Sequence, residues 1–351
     1  MTVEHREAAA QRQEAGAGGP QAAPGRRRVA LLFPGQGAQQ PGMALGLYRA
    51  DPRFAARVDE VLALWGAEGR AVRRDWLAPD APDVPLDDLR RAQPLLFAVD
   101  WALGRTVLDW GVRPDALLGH SVGEVAAAAL AGVLTLAEAA AVMADRVHHL
   151  ASAPPGGMLA VAGAPEQVAG LLGEGVVVGA VNGPRQVVVA GAEAPLAAAE
   201  ARLRAAGLNT RRARTLSAFH SPVVAPAAAL GLPVLRSVAL RPPRLALHSG
   251  YTGGLLDAAT AVDPGFWAGQ PAAPVLFGPA LDGLLAEGRW LLVEAGPAQG
   301  LTMLAKRHRA VASGDSAAVA LLPARPGDDG REAAAAAAVR DRLAAEALLP
   351  V

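Results

Sequence analysis

Residues 116–130, Ala116-Leu117-Leu118-Gly119-His120-Ser121-Val122-Gly123-Glu124-Val125-Ala126-Ala127-Ala128-Ala129-Leu130, decide how this chain is read. The stretch opens with an apolar run of the kind that forms a strand buried on both faces of a parallel sheet. It closes with small residues that favour helix. Between them lies a G-x-S-x-G pattern, Gly119 to Gly123. Its flanking glycines permit a tight strand-to-helix turn that projects the serine hydroxyl outward. That turn places the Val122 N–H and the helix N-terminus beside the hydroxyl, where they can stabilise an oxyanion. An accidental Gly/Ser turn is the competing reading in a chain with 39 glycines. The strand before and the helix after favour a nucleophile elbow, with Ser121 as the nucleophile.

Working outward, Val29-Ala30-Leu31-Leu32-Phe33 is a second continuous apolar run, broken at Pro34-Gly35-Gln36-Gly37. Helical patterns occupy residues around 51–66 and 93–108. Strand-loop-helix alternation with apolar strands predicts an α/β fold with a mostly parallel sheet. Residues 157–216 read differently. Strand-like Met158–Ala162, helix-like Pro165–Leu172, strands Val176–Val181 and Gln186–Ala190, helix-like Pro195–Ala206 and a last strand Thr210–Leu216 give the order βαββαβ. That order describes a ferredoxin-like subdomain, inserted in the larger domain because Trp290-Leu291-Leu292-Val293-Glu294 resumes the α/β pattern. The expected division is a tail over 1–27, a large domain over 28–156 and 217–325, the subdomain over 157–216, and a linker with an exposed Ala-rich helix over 326–351. The tail is poor in large apolar side chains and cannot bury enough surface to order itself. Arg26-Arg27-Arg28 is read as its solvated end rather than as an anion-binding patch.

The composition removes several functions. Lys+Arg and Asp+Glu are both 33 in 351 residues, so no broad basic field exists to hold nucleic acid. The absence of cysteine removes disulfides, thiolate metal sites and Cys nucleophiles. No apolar run is long enough to span a bilayer and no signal-type apolar core is present, so a cytoplasmic protein is expected. No His/Asp/Glu cluster has metal spacing, and no Gly-rich loop carries a phosphate-binding lysine.

A serine nucleophile needs a base. Of seven histidines, His5 lies in the tail, His120 adjoins the nucleophile on a sharp turn, and His148 and His149 share a helix with Arg146. His308 lies in a basic segment and His248 precedes Ser249-Gly250. His220, in Ser217-Ala218-Phe219-His220-Ser221-Pro222, follows the last strand of the inserted subdomain. An interdomain position suits a residue that closes a cleft over a nucleophile. By itself a lone histidine there is more often structural than catalytic.

The chain resembles the malonyl-CoA:acyl-carrier-protein transacylase family and the acyltransferase domains of modular polyketide synthases. The matching segments run over residues 29 to about 325. They are Phe33-Pro34-Gly35-Gln36-Gly37-Ala38-Gln39, Ala92-Gln93-Pro94, Gly119-His120-Ser121-Val122-Gly123-Glu124, Asn182 with Val187-Val188-Val189-Ala190-Gly191, Ala218-Phe219-His220-Ser221 and Glu294-Ala295-Gly296-Pro297. The resemblance implies that Ser121 is the nucleophile and that His220 is its base, oriented by a main-chain carbonyl. It implies an oxyanion hole from the N–H groups of Gln36 and Val122, and a place for Gln93 in the lining of the acyl pocket. Arg146 matches the family arginine that pairs with the free carboxylate of a dicarboxylic acyl group, a task suited to its planar fork. Val147 stands where the family usually has glycine after that arginine. Phe219, before the base, crowds a branch on the acyl α-carbon and disfavours methylmalonyl, whereas Ser217 departs from the histidine common in malonyl-type domains. Asp263 and Glu124 are not expected to complete a triad; Glu124 is read as a helix residue near the positive N-terminal end. Phe266-Trp267 and Val275-Leu276-Phe277 are read as core packing.

The expected reaction is malonyl transfer from coenzyme A to the phosphopantetheine thiol of an acyl carrier protein, in polyketide or fatty acid synthesis. No cofactor is held; acyl-CoA and carrier phosphopantetheine are substrates. A stand-alone monomer that serves its carrier in trans is expected, with no nucleic-acid or membrane partner. The alternatives are transfer of another acyl unit such as methylmalonyl or an aminoacyl group, hydrolysis of carrier-bound thioesters, and an idle docking protein.

Overall fold

The structure is a computed structural model that describes residues 26–350. The tail expected over residues 1–27 thus lies, up to residue 25, outside the described residues. Two sheets organise the fold. The larger contains β1 (Arg28–Phe33), β2 (Ala116–Gly119), β7 (Ala246–Ser249), β8 (Gly254–Leu255), β9 (Trp290–Glu294) and β10 (Ala317–Ala320). Their order is β10-β9-β1-β2-β7-β8, and all neighbours are parallel except β7 and β8.

The strands are continuously apolar because both faces are covered. Leu31, Phe33, Leu117, Leu291 and Val293 face one core, shared with helices Pro52–Ala63, Leu89–Asp109, Gly123–Ala131 and Leu136–Leu150. Ala30, Leu32, Leu118 and Leu292 face a second core with helices Phe277–Ala286 and Gly300–Arg307. In such a sheet the carboxyl ends of the strands form the ligand crevice. Here those ends carry Pro34-Gly35-Gln36 after β1, His120-Ser121 after β2 and Ser249-Gly250-Tyr251 at the end of β7.

The smaller sheet holds β3 (Gly156–Val161), β4 (Val176–Gly183), β5 (Gln186–Ala192) and β6 (Thr210–Arg212), in the antiparallel order β4-β5-β3-β6. With helices Pro165–Ala169 and Glu193–Ala205 between its strands, it has the expected βαββαβ arrangement. Leu159, Val161, Val187, Val189, Leu196 and Leu203 form its core. The last strand is shorter than expected. It pairs only with β3, and beyond Arg212 the chain turns, with the Thr215 N–H donating to the Ala213 carbonyl. A parallel bridge between Ala180 and Val275 joins this sheet to the large domain.

Two expectations at the ends of the chain are corrected. Arg27 is not a solvated tail residue: its guanidinium donates to the Gly314 and Asp315 carbonyls and to Glu346, and Arg28 stacks on the Trp290 ring at 3.9 Å. The C-terminal helix, Asp329–Ala345, is not exposed all round. Glu332, Ala336, Val339 and Leu343 recur at helical spacing and are buried against the large domain. Glu332 accepts the backbone N–H groups of Ala44 and Leu47. In an Ala-rich helix, Ala contributes to both faces, so hydropathy alone hides the buried stripe.

Leu343→Ala removes a side chain with no exposed surface and is expected to destabilise by about 2–5 kcal/mol. Arg342→Ala, one residue earlier in a surface ion pair with Glu346, should cost no more than about 0.5 kcal/mol. Urea unfolding of both variants checks this; equal midpoints would contradict the docked helix.

Candidate active site

The loop bearing Ser121 and the loop after β1 pack against each other without space between them. A Cβ at Gly123 would collide with the carbonyl oxygens of Phe33 and Pro34. A Cβ at Gly35 would meet the His120 carbonyl and the Ser121 Cβ. Ser121 itself has φ 54°, a left-handed conformation that costs a non-glycine residue free energy and that the elbow imposes. His220 is in the same region, at φ 61°. Its backbone N–H donates to the Pro271 carbonyl at 2.7 Å, which fixes this second bend.

These bends bring the two side chains together. Ser121 Oγ lies 2.7 Å from His220 Nε2, and His220 Nδ1 lies 2.9 Å from the Ala273 carbonyl oxygen. A carbonyl only accepts, so Nδ1 carries the proton and Nε2 accepts from the serine hydroxyl. His220 is thus oriented by a main-chain carbonyl and not by an acid. Asp263 is engaged elsewhere, capping helix Pro264–Gly269 through the Gly265 N–H. Burial pushes the His220 imidazole down to about 3, with the His120 and Arg146 charges acting in the same direction and the Ala273 bond against it. The ring is therefore neutral, in its base form, at neutral pH.

Gln36 is clamped at both ends of its amide. Its Oε1 accepts from Gln93 Nε2 at 3.1 Å, and its Nε2 donates to Thr215 Oγ1 at 3.3 Å. Among the described residues neither the Gln36 N–H nor the Val122 N–H meets an acceptor. Gln93 is 2 % exposed, and its hydrogen bond is to Gln36, so it holds the loop that carries the donor. Gln39 does the same from the other side, taking the Gly37 N–H at 2.6 Å and donating to Asp87 and to the Arg214 carbonyl. Phe219 is buried with Leu150, Val224, Ala227 and Ala228, beside His220.

Helix Leu136–Leu150 begins with a capping box between Thr135 and Glu138 and runs unbroken through Val147. Replacement of glycine at that position does not turn Arg146 outward. Arg146 is 8 % exposed, acts electrostatically on His220, and has an Nε without a hydrogen-bond partner. Among the described residues no carboxylate lies within ion-pair distance of it. The carboxyl whose field reaches Arg146 is Glu124, which is fully buried rather than exposed at its helix terminus. Glu124 accepts from Ser249 Oγ at 2.6 Å, the Gly250 N–H at 2.9 Å and Gln270 Nε2 at 3.2 Å. Burial raises its pKa to about 8 despite those bonds and Arg146.

A cleft of about 550 Å³ opens beside Gln36 and His120, between the loop after β1 and the smaller sheet. Gln36, His120, Asn182, Arg211, Arg214 and Leu304 are among its walls. The His120 ring points into it through a 2.8 Å bond from Nε2 to Asn182 Oδ1 and packs on Phe277. Gln39, Gln270 and the Glu124 network are the site residues whose roles sequence reading did not supply. Gln39 stood in a quoted motif, but nothing in a sequence marks which glutamine amide faces a loop. Among the described residues no cluster of three or more metal-ligating side chains occurs, and no helix is long and apolar enough to cross a membrane.

Glu124 gives the stability of the fold a definite pH dependence. Its folded pKa, about 8, lies above its unfolded value of 4.5. The folded state therefore binds an extra proton between these limits. The stabilisation is complete below pH 4.5 and is lost as pH rises through 8. Glu124→Gln cannot titrate, so its stability relative to wild type should improve from pH 5 to about 8 and level off above that. A constant difference in urea midpoints across that range would contradict a protonated Glu124.

The family model described as acyl transferase domain matches residues 30–346. A phenolphthiocerol/phthiocerol polyketide synthase polypeptide of Mycobacterium tuberculosis is 41 % identical over 288 residues, covering 82 % of this chain and 19 % of that protein. Polyketide synthase GfsA of Streptomyces halstedii is 38 % identical over 80 % of this chain and 4 % of its own length. The chain thus spans less than a fifth of either relative. The acyltransferase domain from the second module of the salinomycin polyketide synthase superposes with a TM-score of 0.81 at 35 % identity, over 96 % of this chain and 79 % of that one. FabD from Acinetobacter baumannii, 24 % identical with a TM-score of 0.77 over 90 % of this chain and 99 % of that one, shares the fold. With an elbow serine, a carbonyl-oriented histidine and a match across nearly the whole described chain, this protein belongs to the acyl transferase domain family and is an acyltransferase.

Proposed function

We propose that this acyltransferase takes a malonyl group from malonyl-CoA and passes it, through an ester on Ser121, to the phosphopantetheine thiol of an acyl carrier protein in polyketide assembly. The observation that carries the choice of acyl group is Arg146. A buried guanidinium without an ion-pair partner, in the electrostatic field of the Ser121/His220 pair, is costly in itself. A free carboxylate on the acyl group would compensate it with two parallel hydrogen bonds. The relatives named as polyketide synthases support the biosynthetic setting.

His220 Nε2 takes the Ser121 proton, and the serine oxygen attacks the thioester carbonyl. The Gln36 and Val122 N–H groups receive the oxyanion. Collapse expels the coenzyme A thiolate, which takes the proton from the imidazolium. In the second half the carrier thiol gives its proton to His220 and attacks the acyl-serine. Ser121 then leaves with that proton. Phe219 beside the base favours malonyl over methylmalonyl; one methyl is worth ~1–3 kcal/mol of discrimination in such a pocket.

Intact mass spectrometry after exposure to malonyl-, methylmalonyl- and acetyl-CoA tests this reading. Malonyl labelling should be fastest, with methylmalonyl roughly tenfold slower or more, and Ser121→Ala should take no label. Arg146→Ala should lose malonyl labelling while acetyl labelling persists. Equal malonyl labelling of Arg146→Ala and wild type would remove the carboxylate clamp and with it the malonyl assignment.

A further inference from the structure

Tyr251 lies beyond the carboxyl end of β7, at the edge of the sheet that also carries the nucleophile, and acyl transfer by Ser121 and His220 leaves it unused. Its backbone N–H donates to Ser249 Oγ at 3.0 Å, and Ser249 in turn donates to Glu124. The turn is therefore tied to the buried carboxyl behind Arg146. The ring is held between two neighbours, with its centroid 6.0 Å from that of His220 and 6.4 Å from that of Phe266, against which it packs edge-on. These contacts fix the direction of the hydroxyl, which stands close to Ser121 and Arg146 and has no contact with solvent. It has no hydrogen-bond partner at good geometry among the described residues.

A buried hydroxyl that only approaches Ser121 and Arg146, without a well-aligned bond to either, destabilises a fold, whereas phenylalanine would pack in the same place without that penalty. Burial also pushes the phenol up to about 12, so it remains a neutral donor at any working pH. The hydroxyl thus has one proton to give, faces the serine to be acylated, and shares its space with an unpaired guanidinium. An acyl group on Ser121 whose far end is a carboxylate would bring an acceptor to both.

We propose that Tyr251 is a substrate-binding residue whose hydroxyl donates a hydrogen bond to the free carboxylate of the acyl group, alongside the guanidinium of Arg146. The inference rests on the dicarboxylic reading of Arg146 and adds a second anchor to it. Arg146 supplies charge and Tyr251 supplies direction. The ring, wedged against His220, sets how far the carboxylate can swing from the ester. A neutral acyl group such as acetyl offers no acceptor there and gains nothing from the hydroxyl.

The test compares acylation rates of wild type, Tyr251→Phe, Arg146→Ala and the double variant with malonyl-CoA and acetyl-CoA, followed by intact mass. Tyr251→Phe keeps the ring and removes only the oxygen, and circular dichroism checks that it folds. Its malonyl kcat/KM should fall roughly tenfold, about 1.4 kcal/mol, mainly through KM, with acetyl changed less than about twofold. In the Arg146→Ala background the same change should add little, because the carboxylate is then no longer held. If Arg146→Ala loses malonyl selectivity but Tyr251→Phe matches wild type, the tyrosine anchor is wrong and the clamp stands. If Tyr251→Phe slows malonyl and acetyl equally, the hydroxyl serves the reaction centre rather than the carboxylate, and the proposal is overturned. If Arg146→Ala keeps full malonyl rate, the parent reading and the inference fall together.

Discussion

The 2.7 Å hydrogen bond between Ser121 Oγ and His220 Nε2 is the constraint to which the rest of the molecule answers. Its partners are 99 residues apart in the chain, and both sit in left-handed backbone that neither residue type prefers. The Ser121 bend is imposed by the Gly-flanked elbow packed on the loop after β1. The His220 bend is imposed by its backbone bond to Pro271, and its ring by the Ala273 carbonyl. The four-stranded sheet lies between the two residues in sequence but beside them in space. Its bridge to Val275 ties it to the segment that orients the histidine.

Desolvation sets the chemistry of the site. It keeps His220 a free base, keeps Glu124 protonated and keeps Tyr251 a neutral donor. Each of these buried groups then avoids the cost of carrying charge away from water. Arg146 is the exception, since a guanidinium cannot give up its proton in a protein. That buried cation is the feature on which the proposal of an anionic acyl group rests. The Glu124–Ser249–Tyr251 connections run through the same site, so the placing of Tyr251 and that of the protonated carboxyl depend on one turn after β7.

Much of this was legible in the residues. The continuous apolar runs announced strands covered on both faces, and the elbow glycines announced a tight strand-to-helix turn. The βαββαβ order was readable from alternation and turn chemistry alone. Less legible were elements whose character depends on a distant partner. The last strand of the small sheet ends at Arg212 because the chain then turns on itself, the Thr215 N–H donating to the Ala213 carbonyl, and touches β3 only through single backbone bonds at Met158 and Gly156. Arg27 reads as tail until the loop at Gly314 and the helix carrying Glu346 approach it. The Ala-rich helix hides its buried stripe because alanine is at home on either face.

The order of residues was enough to indicate the class of fold and the candidate nucleophile. Those are local matters, settled by strand periodicity, glycine placement and a turn completed within five residues. Resemblance across ordered motifs then singled out one histidine among seven. What each group is worth emerged only from the folded packing. That Glu124 is fully buried, that Gln93 and Gln39 grip the loop bearing Gln36, and that Arg146 and Tyr251 come together beside Ser121 follows from contacts between segments remote in the chain. Charge state and hydrogen-bond partners depend on what surrounds an atom, and a linear chain records only what adjoins it along the backbone.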